Sequence, residues 1–175
     1  MVDMFGELGF KYGAEVGVGR GDYSDVLCSR IKSLKKLYSV DPWTVVYKDP
    51  RTYKKGSRRQ ERYYELSKEK LDKYPVCEII RKTSIEAVMD IPYESLDFVY
   101  IDGAHTFDYV MVDLIEWGKR VKKGGIISGD DYKLHRDGDV MTPVNIYCQA
   151  HDIGILNIMR GNEEYLVPNY WFIKK

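Results

Sequence analysis

The sequence has little cysteine and no net charge. Its three cysteines, Cys28, Cys77 and Cys148, are odd in number and far apart. No CxxC pair and no Cys/His spacing of a zinc site occurs, so neither a disulfide scaffold nor a zinc module is expected. Three thiols in a reducing compartment are expected instead. Lys and Arg total 27 and Asp and Glu total 27, which excludes a generally basic protein of the histone or ribosomal kind. No apolar run approaches the ~18 residues of a membrane span. Met1 to Gly9 carries Asp3 and Glu7 and lacks the basic, apolar leader of a secreted protein. A soluble, cytoplasmic protein with no membrane partner is therefore expected. At 44% hydrophobic and 31% charged, the composition excludes disorder and collagen. The length of 175 residues suits one domain, 1–175, with a sizeable core.

Short apolar runs alternate with helical patterns. The runs are Ala14–Val18, Leu37–Val40, Val76–Ile80, Leu96–Ile101 and Ile126–Ser128, the last just after the turn signal Gly124-Gly125. Ile155–Met159 and Tyr170–Ile173 read as two closing strands. Tyr23, Val26, Leu27 and Ile31 recur at helical spacing, as do Phe107, Val110, Met111, Leu114 and Ile115. Val144–Ala150 reads as a further helix, with Pro143 near its start. This alternation predicts βαβ units, that is, an α/β, doubly wound, mostly parallel sheet. Such sheets bind ligands at the carboxyl ends of their strands.

The strand ends carry the chemistry. The first runs through Glu15-Val16-Gly17-Val18-Gly19-Arg20-Gly21, where glycines allow a tight turn and close approach of a ligand to the main chain. Counted from Gly17, the third glycine of GxGxxG falls on Asp22, which breaks the dinucleotide fingerprint and argues against an oxidoreductase. Asp41, before Pro42, ends the second strand at a distance from Gly17 suited to accepting ribose hydroxyls. It also suits a plain turn opener. Ser84, after the third strand, is placed to cap a helix and to lie near a base. The fourth strand ends in Ile101-Asp102-Gly103-Ala104-His105 and the fifth in Gly129-Asp130-Asp131-Tyr132. Three carboxylates in one crevice need a proton or a cation, and hard oxygen ligands favour Mg²⁺ or Ca²⁺. Asp130 or Asp131 also fits a turn or helix cap, and His105 also fits a brace for the helix beginning near Thr106.

Together these motifs resemble the class I S-adenosylmethionine-dependent methyltransferases. The segment LDFVYIDGAHTFDYVMVDLIEWGKRVKKGGIISGDDY and Val40-Asp41-Pro42-Trp43 are similar to a small subgroup with Ile-Asp-Gly-x-His and (His/Asp)-Asp-Tyr motifs. Its Asp-Asp form is similar to metal-dependent, macrocin-type O-methyltransferases. The resemblance implies a Rossmann-like, seven-stranded sheet with the last strand antiparallel. It implies S-adenosylmethionine held by Glu15, Gly17, Val18, Gly19, Gly21, Asp41, Pro42, Ser84 and Asp102. It also implies Mg²⁺ on Asp102, Asp130 and Asp131. Asp102 and His105 are the candidate bases for a hydroxyl acceptor. The expected acceptor is a small hydroxylated molecule such as a sugar, natural product or nucleotide-linked sugar. Only 14 residues precede Glu15, so cover for the pocket is expected from an insert, from the segment after Tyr132, or from a homo-oligomer.

That insert, about 44–74, holds ten basic residues against five acids, with five tyrosines interleaved. Ser57–Tyr74 reads as a helix, with Glu61 and Glu65 placed for surface pairs with Lys68 and Lys70. A solvated helix, a lid that recruits an anionic acceptor, and a nucleic-acid groove with stacking tyrosines all fit. A nucleic-acid-binding methyltransferase or binding module is thus the alternative function. A cofactor-binding fold relative without transfer is another.

Overall fold

The computed structural model describes residues 1–44, 58–135, 138–159 and 168–175. Of the insert, 45–57 lies outside the described residues, as does Ser57 of its expected helix. Seven strands form one sheet. In chain order they are β1 (Tyr12–Val16), β2 (Lys36–Val40), β3 (Cys77–Ile80), β4 (Leu96–Ile101), β5 (Val121–Gly129), β8 (Asn157–Met159) and β9 (Asn169–Ile173). Their order across the sheet is β3-β2-β1-β4-β5-β9-β8. The strands from β3 to β5 pair in parallel, and β9 runs antiparallel to both β5 and β8. The expected doubly wound sheet with its last strand antiparallel is the observed one. Between them, β6 (Leu134–His135) and β7 (Gly138–Asp139) make a small separate hairpin.

Among the described residues, six helices cover the sheet: α1 (Val2–Glu7), α2 (Asp22–Arg30), α3 (Arg58–Leu71), α4 (Ser84–Val88), α5 (Phe107–Arg120) and α6 (Met141–Ala150). Strand side chains alternate between faces, so neighbours in β4 serve different cores. Phe98 packs with Phe5, Leu27 and Ile126 under α1 and α2. Val99 packs with Leu114, Trp117 and Val144 under α5 and α6. Fully burying a side chain such as Leu114 or Phe98 contributes about 1.5–3 kcal/mol. A third, smaller cluster joins Val18, Trp43 and Leu71 beneath α3.

Three expectations need correction. Ser84 is not the helix cap: Thr83 is, in a reciprocal capping box with Glu86. The Thr83 side chain accepts from Glu86 N–H, and the Glu86 carboxylate accepts from Thr83 N–H at 3.0 Å. Gly124-Gly125 is not a turn before β5 but lies inside it. Gly124 N–H donates to Lys174 O and Lys174 N–H to Gly125 O, each at 2.9 Å. A Cβ on Gly125 would lie 2.7 Å from Asp97 O, so strand packing, not a turn, needs that glycine. Finally, Glu61 pairs across space with Arg81, and Lys70 with Asp22, not within the helix.

Candidate active site

The parallel sheet reverses direction of growth between β1 and β4, and a cavity of about 900 Å³ opens there, above the strand ends. Glu15, Gly17, Val18, Gly19, Asp41, Pro42, Ser84 and Asp102 line it. Gly21 caps α2 with φ 78°, one turn behind the loop.

Backbone contact explains the loop. Gly17 has φ 95°, and a Cβ there would sit 1.9 Å from Asp102 O. Its N–H donates to Val40 O, while Asp102 N–H donates to Val16 O. The ends of β1, β2 and β4 are thereby locked together. Asp41 braces the same loop. Its Oδ2 accepts from the N–H groups of Val18 at 3.1 Å and Gly19 at 3.0 Å, and its Oδ1 from Trp43 N–H at 2.6 Å. Burial holds the Asp41 carboxyl above its ordinary pKa despite these bonds. Trp43 Nε1 donates to Gly19 O at 2.7 Å, so the loop is held from both sides.

Glu15 is buried and accepts from the Ser24 hydroxyl. Desolvation raises its carboxyl well above the usual range, and the nearby Asp102 and Asp41 add to this. Tyr23 also lines the cavity, and its buried Oη has no hydrogen-bond partner among the described residues.

Beside the cavity, the ends of β4 and β5 converge around Asp102. His105 Nε2 lies 3.3 Å from Asp102 Oδ1, and His105 Nδ1 lies 3.0 Å from Asp131 Oδ2. One ligand atom from each of Asp102, His105 and Asp131 falls within 4.8 Å of the others. The bond to Asp102, with Asp131 nearby, holds the imidazole above its ordinary pKa. Asp130 is turned elsewhere: its Oδ1 accepts from Asp131 N–H at 2.8 Å, and burial raises its pKa. Asp131 sits at φ 55°, an uncommon conformation for a non-glycine residue, and Lys133 Nζ is 3.3 Å from its Oδ1. His105 O accepts from Asp139 N–H at 2.6 Å, so the β6–β7 hairpin supports the His105 loop.

Sequence reasoning missed Asp113. It lies in the cavity wall on α5, only 5% exposed, and its Oδ1 accepts from the Ser84 hydroxyl. Trp117 Nε1 in turn donates to Ser84 Oγ at 2.8 Å. Burial pushes the Asp113 carboxyl up to about 6. The signal was present: position 113 falls on the buried stripe between Val110, Leu114 and Trp117. Gln60 and Tyr63 bring α3 over the cavity as a wall. Its basic residues are largely paired: Arg62 with Glu65, Lys68 with Asp72, Lys70 with Asp22 and Lys73, just beyond α3, with Asp25. Among the described residues, no helix is long and apolar enough to cross a membrane.

Comparison with known proteins agrees with this architecture. The sequence matches the family described as "Methyltransferase domain" over residues 14–132. No curated protein matches. Among solved structures, an O-methyltransferase from Bacillus cereus in complex with SAH superposes with TM-score 0.70 at 13% identity, covering 99% of this chain and 78% of that one. An rRNA methylase from Streptococcus thermophilus gives TM-score 0.69 at 13% identity, covering 99% and 93%. An N-methyltransferase from Bradyrhizobium japonicum gives 0.67 at 12% identity, covering 99% and 92%.

Proposed function

The chain belongs to the methyltransferase-domain family, and from that premise we propose that it transfers the methyl group of S-adenosylmethionine to a hydroxyl of a small acceptor, assisted by Mg²⁺. The observation that carries this reading is the convergence of His105 and Asp131 on Asp102, which also lines the glycine-loop cavity.

The cavity suits the cofactor. Tyr23, whose buried Oη has no hydrogen-bond partner among the described residues, lines the cavity together with a loop whose glycines leave room for a ligand against the main chain. S-Adenosylmethionine, when bound, supplies an electrophilic methyl on a sulfonium. Glu15 and Tyr23 would hold its amino-acid end, Asp41 its ribose through the carboxylate lone pairs left over from the loop, and Ser84 its base. Two carboxylates and an imidazole also suit a divalent cation. Asp102 and Asp131 would hold it, with Asp130 joining by releasing Asp131 N–H. Mg²⁺ there would lower the pKa of an acceptor hydroxyl.

His105 is the group placed to take the acceptor's proton. With a cation drawn onto Asp102 and Asp131, these carboxylates would no longer hold both ring nitrogens as donors, and a neutral His105 would be free to take that proton. Lys133, beside Asp131, gives an anionic acceptor a cation to approach.

The test is calorimetry with S-adenosylmethionine and NAD. A screen for labelled methyl transfer over sugars, phenols, nucleotides and RNA follows, with and without chelator. S-Adenosylmethionine should bind and NAD should not. A small hydroxylated acceptor should be labelled, and Asp131→Ala should abolish metal-stimulated turnover while largely sparing cofactor binding. Turnover unchanged by both chelator and Asp131→Ala would sink the metal-assisted reading. Transfer to RNA alone would replace the acceptor class with nucleic acid.

A further inference from the structure

A second cavity, of about 180 Å³, lies in the cleft between α5 and α6. Ile115, Gly118 and Lys119 line it from α5, and Tyr147 and His151 from the end of α6. Spacings of three and four residues put each set on one helix face. Ile127 of β5 and Ile153 add apolar wall, and Lys174 and Lys175 also border it. Lys174 Nζ donates to the main-chain oxygen of Val121, the first residue of β5, at 2.6 Å. The cleft therefore lies toward the end of the sheet opposite Asp102 and the glycine loop. The two cavities share no lining residue among those described, and methyl transfer has no use for the second.

Its lining combines a flat apolar interior with convergent cations. The Tyr147 and His151 rings lie with centroids 4.2 Å apart, tilted by 31°, and three isoleucines surround them. A cavity of about 150 Å³ with aliphatic and aromatic walls is enough to hold one benzene ring. Tyr147 is buried, and its hydroxyl lies against α5, where a Cβ on Gly118 would be 2.6 Å away. Among the described residues that hydroxyl has no hydrogen-bond partner. Three lysines and no described acid line the cavity. The acids that hold these lysines stand outside it: Glu116 lies 2.6 Å from Lys119 Nζ, Asp152 2.8 Å from Lys175 Nζ and Glu94 3.7 Å from Lys174 Nζ. Each ammonium has three protons, so each keeps a donor for a ligand, and exposed ion pairs of this kind yield readily.

We propose that this cleft is a binding site for a small aromatic carboxylate of about the size of benzoate, separate from the methyl-transfer centre. The ring packs among Ile115, Ile127, Ile153 and the Tyr147 face. The carboxylate accepts from the Tyr147 hydroxyl and from the ammoniums of Lys119 and Lys174. Apolar walls with a few convergent polar groups are the usual make-up of a small-molecule site. The walls select a ring over a bare anion, and the lysines select an acid over its neutral amide.

The full chain is titrated by calorimetry with benzoate, with benzamide as its neutral isostere, and with inorganic phosphate as an anion without a ring. One benzoate should bind per chain, with benzamide and phosphate each weaker by about tenfold or more. Tyr147→Phe removes a hydroxyl that no described residue uses, so it should melt as wild type yet lose about tenfold in benzoate affinity. Lys119→Met keeps most of the stem and removes the charge of an exposed side chain, and it should lose affinity by a similar factor while folding normally. No heat with benzoate overturns the site. Wild-type affinity in both variants, or competition between benzoate and S-adenosylhomocysteine, places the ligand elsewhere and overturns it too. Benzamide binding as tightly as benzoate overturns the carboxylate, and phosphate binding as tightly overturns the ring.

Discussion

Gly17 and Asp113 show how single residues shape the cavity. Gly17 combines a left-handed φ of 95° with a hydrogen position that points at Asp102 O, 1.9 Å from where a Cβ would be. Gly17→Ala would push the β4 end away from the loop, and strain plus overpacking costs about 1–3 kcal/mol or more. We expect a lower Tm and loss of S-adenosylhomocysteine binding by calorimetry; wild-type values for both would refute the packing argument. Asp113 makes a pH prediction. Its carboxyl is raised from 3.8 to about 6, so the folded state prefers the protonated form. That contribution is complete below pH 3.8 and is lost as pH rises through about 6. Asp113→Asn can still accept from Ser84 but never charges. It should therefore gain on wild type by about 1.4 kcal/mol between pH 5 and pH 8, the rest of the roughly 3 kcal/mol being gained below pH 5. Thermal melts at the two pH values check this, and a variant–wild-type difference independent of pH would count against it. Asp113 was legible as an acid on an apolar stripe. The turn of His105 toward both Asp102 and Asp131 was not. Chain order says which strand ends meet, but side-chain rotamers at those ends depend on the hairpin at Asp139 that supports the loop.

At the scale of elements, α3 and α4 wall the cavity by different means. The α4 helix is only five residues long, so its start depends on the Thr83–Glu86 capping box. Thr83→Ala should cost about 1 kcal/mol and lower Tm by about 2–4 °C, with Thr83→Ser close to wild type. The third core cluster, under α3, centres on Trp43, which is 2% exposed, packs 5.0 Å from the Tyr64 ring and bonds Gly19 O. Trp43→Ala should cost about 3–5 kcal/mol and weaken cofactor binding. Trp43→Phe should recover most of the stability but not the Gly19 bond. Equal binding by Trp43→Phe and wild type would show that packing alone holds the loop. Several strands were legible because their apolar runs end in a turn signal, such as Asp41-Pro42 and Asp102-Gly103. The bounds were less so, since Gly124 and Gly125 look like a turn until the main chain of Lys174 is seen paired with them.

The whole molecule depends on a late, non-local pairing. β5 is bordered on one side by β4 and on the other by β9, which arrives from the last residues of the chain. Tyr170 and Phe172 of β9 are fully buried and pack with Tyr147 of α6, while their backbone fills the edge of β5. Without β9, four β5 residues would expose their outer hydrogen-bonding edge, the core over α5 and α6 would open, and β8 would lose its only neighbour in the described sheet. The five other strands, and every residue placed in the active site, lie outside the deleted segment. A chain ending at Pro168 therefore tests whether the cavity half can stand alone. Losing two large buried aromatics would cost about 3–5 kcal/mol each, comparable with the whole stability of a domain of this size. The truncated chain should show no cooperative melt and no S-adenosylhomocysteine binding, with circular dichroism and calorimetry as the checks. A cooperative melt with intact binding would show that the parallel part of the sheet folds without its antiparallel edge.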